Sequence, residues 1–333
     1  MIFHPAAIAL YISSILISLM ALYSVFYGIQ ILRRWNIQSG SEIQLGLERK
    51  TYLISTLLTY LFGFQLISLF LYIHTADHLH DLFVGAMCAA GTLYVNSYGY
   101  PALILKVVNF LLAGLWLILN YVDNRGYDYP LIKKKYLFLL LFTPFLLMET
   151  VLQMNFFLRL KPDVITSCCG TLFSTDRLGI ASEIASLPSI PMKGIFSLVL
   201  FSTFALGFLF YQSGKGGYLF SSMSVVSFVV SIASLISFIS LYFYELPTHH
   251  CPFCILQKEY GYVGYPLYIT LLGGSITGMG VGILMPFRKI ESLREVLPSI
   301  QKRAALTSVF LFLIFLMIVT YQIFFSAFRL EGY

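Results

Sequence analysis

The residues best suited to chemistry lie in Thr248-His249-His250-Cys251-Pro252-Phe253-Cys254-Ile255-Leu256-Gln257-Lys258. Two cysteines three residues apart can form a disulfide, exchange one, or ligate a soft metal. If Cys251 caps a helix and Cys254 lies in its first turn, the positive helix end favours thiolate, as would Lys258 or a protonated histidine. A low thiol pKa makes a cysteine a better leaving group in thiol–disulfide exchange. The plainer alternative is a structural disulfide or two packing thiols. His249 and His250 can orient or deprotonate the thiols, or join them around zinc or copper.

Cys168 and Cys169 are a second candidate pair. A disulfide between sequence neighbours is strained, and strained bridges are the labile, oxidising ones. Alternatively one of the two exchanges with Cys251 or Cys254, or both hold Cu(I) as thiolates. Cys88, in the apolar run Gly85-Ala86-Met87-Cys88-Ala89-Ala90, reads as a small packing thiol. His74, Asp77, His78 and Asp81 share one helical face by i, i+3, i+4 spacing, with His80 beside them. That face suits a ligand or proton-relay role, or a solvated helix end. Glu149 is the one acid well inside an apolar run, with Gln153 and Asn155 following. It can exchange protons with a bound cofactor or fasten two helices as a hydrogen-bonded acid, with Lys106 and Asn109 as candidate partners. Lys106 can instead snorkel outward.

What positions these residues is a set of membrane helices. Of 333 residues 58% are hydrophobic and 11% charged, which excludes a soluble globular chain. Apolar runs recur at roughly 6–32, 52–73, 102–122, 136–158, 194–213, 218–244, 265–287 and 304–328, each near the ~20 residues that cross a bilayer. The expected fold is therefore all-α and polytopic, with eight spans. Barrel strands would be shorter and would alternate. Met1-Ile2-Phe3-His4-Pro5 contains no lysine or arginine, so the first run reads as a span and not as a cleaved signal. The net charge of +6 does not imply nucleic acid, because the basic residues sit in short loops between runs.

Those loops give a topology. Loops 33–51, 123–135, 214–217 and 288–303 carry fourteen of the 21 Lys and Arg. The positive-inside rule makes them cytoplasmic and puts both termini outside. All six histidines and all five cysteines then fall at the outer face, where disulfides persist in bacteria. The sequence also echoes itself. Cys88 precedes Tyr98-Gly99-Tyr100-Pro101 and the third span, and Cys254 precedes Gly264-Tyr265-Pro266 and the seventh. Two four-helix halves, or a composition common at lipid interfaces, account for the echo.

Cys251-Pro252-Phe253-Cys254-Ile255-Leu256-Gln257-Lys258, with Tyr265-Pro266 beyond, resembles the C-x-x-C-x-x-Q/E-R motif of DsbB-type disulfide-generating membrane proteins. Lys258 stands at the arginine position and keeps its charge without the planar fork. The order of Cys168-Cys169, two spans, then Cys251 and Cys254 is similar to the vitamin K epoxide reductase fold, although that family separates its loop cysteines. The resemblance covers about 136–287. It implies three parts: helices one to three over 1–135, a four-helix redox region over 136–287, and a loop with helix eight over 288–333. It further implies a thiol–disulfide oxidoreductase of the bacterial inner membrane, with Cys251, Cys254, Cys168, Cys169 and Lys258 in catalytic roles. A membrane quinone would lie near Lys258, Gln257 and Glu149, and a periplasmic thioredoxin-like protein would be the partner. An outer-face copper or zinc protein, with His249 and His250 among its ligands, and a structural subunit of a membrane complex are the other readings.

Overall fold

The computed structural model describes residues 4–161, 166 and 180–330. Eight helices are long and apolar enough to cross a membrane, and no strand occurs among the described residues. They are α1 (Pro5–Arg34), α2 (Glu42–His78), α3 (Gly99–Asp123), α4 (Ile132–Leu158), α5 (Ser189–Ser213), α6 (Gly217–Tyr244), α7 (Gly264–Leu284) and α8 (Val296–Phe325). The chain is thus an all-α, multi-pass membrane protein.

Local sequence explains the ends. Pro5 opens α1, where its missing N–H costs nothing, and Arg33 and Arg34 occupy the last turn beside the negative helix end. Gly214, left-handed at φ 67°, stops α5. α2 runs 37 residues, well beyond the ~20 a bilayer needs. Its last turns therefore carry His74, Asp77 and His78 past the apolar run. The radial pattern is inverted relative to a soluble bundle. α1 buries Ala7, Ser14, Ser18, Ala21, Ser24 and Gly28 and exposes Leu16, Leu19 and Phe26. In lipid, close packing of small residues joins helices and large apolar side chains face outward.

The chain divides into two compact units. The first comprises Met1–Ile73, Asn96–Leu160 and Pro286–Ile300, which hold α1, nearly all of α2, α3 and α4. α4, which the sequence reading set at the head of a region over 136–287, packs along α1 and α3 in this unit. Phe62, Trp116, Phe142 and Leu139 fill its centre. The second unit comprises His74–Val95, Lys161–Met285 and Gln301–Tyr333. There α7 lies against α6 through glycines, with Ser224 and Ser308 both closing on Gly278.

Candidate functional site

The second unit assembles its site from three stretches: the end of α2 with the segment after it, the end of α6, and the loop before α7. Between Tyr244 and Gly264 the chain forms two short 3₁₀ turns, Cys254–Leu256 and Lys258–Tyr260. Cys251 and Cys254 therefore do not open a spanning helix, contrary to the sequence expectation. Gln257 is extended at ψ 162°, and Gly261 and Tyr262 are left-handed at φ 62° and 57°, so no helix propagates from the cysteines into α7. A three-residue turn supplies no macrodipole, and the thiolate support expected from one is missing.

Side chains hold the loop instead. The Tyr244 hydroxyl donates to the Cys251 carbonyl at 2.6 Å and accepts the Ile255 N–H at 3.0 Å. The Tyr268 hydroxyl of α7 donates to the Pro252 carbonyl at 2.6 Å. Both cysteine backbones are thereby fixed between α6 and α7. α6 contributes a second device, a π-helical turn over Leu235–Ile239. The Ile236 carbonyl in that turn pairs with His250 Nδ1 at 2.9 Å. Such turns leave carbonyls out of the regular ladder and recur at functional sites.

Cys88 joins the pair from the other side of the sequence. It precedes the short helix Ala89–Tyr94 in extended conformation. Asp77 Oδ1 accepts both the Ala89 N–H at 3.1 Å and the Gln257 amide at 3.0 Å. Gln257 also donates to the Met87 carbonyl at 3.0 Å. Asp77 and Gln257 thus clamp the Cys88 segment onto the loop carrying the other cysteines. Gly85, at φ +89°, lets the segment turn where any Cβ would strike the Thr166 carbonyl. Thr166 is pinned there by its N–H to Val84 at 3.0 Å and its hydroxyl to the Gly91 carbonyl at 2.9 Å.

The outcome is a buried three-sulfur cluster. Cys88 Sγ lies 3.6 Å from Cys251 Sγ, and the sulfurs of Cys88, Cys251 and Cys254 all fall within 4.8 Å of one another. His249 Nε2 approaches Cys254 Sγ at 3.4 Å, and its ring stands edge-on to Tyr244. Tyr244 also packs against Tyr260, with ring centroids 4.8 Å apart. Burial raises the Tyr260 hydroxyl above its ordinary pKa, as do neighbouring Cys254, Glu259 and Cys251.

The other sequence candidates divide. His74 Nδ1 meets the Tyr265 hydroxyl at 3.3 Å, so the expected His74–Asp77 face does turn toward this site. Asp81 is exposed and pairs only with His80 among the described residues. Lys258 is exposed. Glu149 belongs to the first unit, where Lys106, Asn109 and Gln65 surround it. Cys168 and Cys169 lie outside the described residues. The participant that sequence reasoning missed is Cys88, whose partner is 163 residues away. Its one signal was the repeated Gly-Tyr-Pro that follows both Cys88 and Cys254. No family model, curated protein or solved structure matches the chain.

Proposed function

We propose that the protein is a thiol–disulfide oxidoreductase of the bacterial inner membrane, working at the outer face with a membrane quinone. The observation that carries this reading is the contact of Cys88 with Cys251 inside a cluster that also holds Cys254. Contact at 3.6 Å is van der Waals distance, against about 2.05 Å for a bonded pair. Cys251 thus stands beside two possible partners. With a Cys88–Cys251 disulfide, the Cys254 thiolate attacks the Cys251 sulfur, forms Cys251–Cys254 and releases Cys88 as thiolate. Exchange conserves electrons and moves the bridge by one position. His249, touching Cys254, accepts the proton that makes it a nucleophile. A quinone from the lipid supplies the acceptor, taking two electrons and two protons from a dithiol and leaving as quinol. The rings of Tyr244, Tyr260 and His249 beside Cys254 suit a flat apolar ring.

Cys168 and Cys169 exchange with a thioredoxin-like partner in this scheme. Support comes from Thr166, two residues before Cys168 and bonded to the Cys88 segment.

One observation favours a second reading. Three thiolates ~2.3 Å from one ion stand roughly 4 Å apart, and the three sulfurs lie within 4.8 Å of one another. They fit a soft ion such as Cu(I). His249 reaches only Cys254 and does not join that group.

The full chain in detergent with a short-chain quinone separates the two. The redox reading expects quinone-dependent oxidation of a dithiol, lost in Cys254→Ser, together with both Cys88–Cys251 and Cys251–Cys254 bridges by peptide mapping. Undiminished turnover in Cys254→Ser would sink it. Stoichiometric copper or zinc that disappears in Cys88→Ser, with no dithiol oxidation, would establish the metal reading instead.

A further inference from the structure

We propose that the interior of the first unit carries protons between its two ends. This rests on residues outside the thiol site and stands whether or not the redox reading does.

The unit buries two lysine–carboxylate pairs at two levels. At one, Lys106 Nζ lies 2.7 Å from Glu149 Oε1, with the two side chains 1% and 2% exposed. Gln65 and Asn109 donate to Glu149 Oε2 at 2.6 and 2.5 Å. Lys106 also donates to Ser68 Oγ at 3.3 Å, and its ammonium lies 5.4 Å from the Tyr72 ring. Separately, the Tyr72 hydroxyl donates to the Gly99 carbonyl at 3.1 Å, where α3 begins. At the other level, Lys135 Nζ lies 2.7 Å from Asp123 Oδ2 and donates to Asn120 Oδ1 at 2.9 Å. Asn120 donates to Thr59 Oγ1 at 3.0 Å.

The second level opens to a cavity of about 120 Å³ lined by Lys135, Thr51, Ser55, Asn124 and Glu48. That is room for several waters, and its lining is polar enough to hold them. α2 threads both levels: Thr51, Ser55, Thr59, Gln65, Ser68 and Tyr72 all lie on the face turned toward these pairs. Only the stretch from Thr59 to Gln65 interrupts the polar series, about 9 Å at helical rise. Phe62, Trp116 and Phe142 fill it, with ring centroids 5.1 and 5.3 Å from Phe62. Even here Trp116 Nε1 is buried with no hydrogen-bond partner among the described residues, as is Asn109 Oδ1 above it. A buried polar atom without a protein partner is one that an ordered water can satisfy.

Fastening helices does not require this arrangement. Apolar side chains of similar volume join helices as well or better, and ionisable groups inside a membrane protein mark ion and proton paths. A lysine–carboxylate pair can take up and pass on a proton without a net change. A proton arriving on Glu149 leaves Lys106 as an unpaired ammonium, Lys106 releases its proton toward Ser68, and Glu149 then reprotonates Lys106. The Lys135–Asp123 pair repeats this cycle at the cavity. The aromatic layer between them sets the rate, since water must cross it.

The test is proton uptake by liposomes containing the full chain, driven by a valinomycin potassium potential and read by an internal pH dye. Wild type is expected to acidify the lumen several-fold faster than protein-free liposomes. Glu149→Gln is expected to fall to the protein-free rate. Glu149→Gln also strands Lys106 and can fail to fold, so Thr59→Val, which cuts the link between Asn120 and the aromatic layer, is measured beside it and is expected to slow uptake. Phe62→Ala is expected to accelerate it. A wild-type rate equal to that of protein-free liposomes, or Thr59→Val running as fast as wild type, would overturn the proposal.

Discussion

Tyr244 shows how little of the thiol site is held by secondary structure. Its one hydroxyl satisfies the Cys251 carbonyl and the Ile255 N–H, both buried in a loop without a ladder to take them. Tyr244→Phe leaves both backbone groups orphaned, at about 1–3 kcal/mol each. The expected result is a lower unfolding temperature in detergent and faster maleimide labelling of Cys251 and Cys254, because the loop that buries them loosens. Equal labelling rates in variant and wild type would show that the hydroxyl does not hold the loop. At this scale the sequence told only part of the story. Cys251, Cys254 and His249 were evident because three-residue spacing and adjacency are local properties. Cys88 and the Asp77–Gln257 clamp were not, since each depends on stretches more than 160 residues apart meeting in space.

Among the elements, the long helices were readable because a run of ~20 apolar residues has few other fates. Their contacts were less so. α7 carries Gly274, Gly278 and Gly282 four residues apart, and each faces a neighbour closely. A Cβ on Gly278 would stand 2.6 Å from Ser224 Cβ and 2.8 Å from Ser308 Oγ, and one on Gly282 would stand 2.5 Å from Ser221 Cβ. Ser224 Cβ is no flexible tip that can swing away, so α6 and α7 must part. Gly278→Ala is therefore expected to destabilise by about 1–3 kcal/mol, the usual range for overpacking. Gly63→Ala in α2, where nothing lies within 4 Å, is the control and should leave the unfolding temperature unchanged or slightly raised. Equal behaviour of the two variants would mean that the α6–α7 seam tolerates a methyl group.

For the whole molecule, the number and order of spans followed from hydropathy. Where the units divide stayed open: the repeated Gly-Tyr-Pro allowed two four-helix halves, while the resemblance grouped α4 with the helices after it, and nothing local in α4 records that it packs on α1 and α3. An orientation is expected from charge by the positive-inside rule and is testable on the unmodified chain. Lys50, Lys133, Lys134 and Lys215 are exposed in loops that the positive-inside rule assigns to the cytoplasm, and Lys258 is exposed in the loop that carries Cys251 and Cys254. A membrane-impermeant amine-reactive ester applied to right-side-out vesicles should therefore modify Lys258 and spare the other four. The pattern should reverse in inverted vesicles. Lysines resist this assay only when buried or on the far side, and these five are all exposed, so labelling reports sidedness directly. Modification of Lys215 with protection of Lys258 in right-side-out vesicles would turn the chain over. The cysteine cluster would then face a reducing cytosol, where disulfides are transient, and the soft-metal reading of its three sulfurs would displace the quinone-linked one.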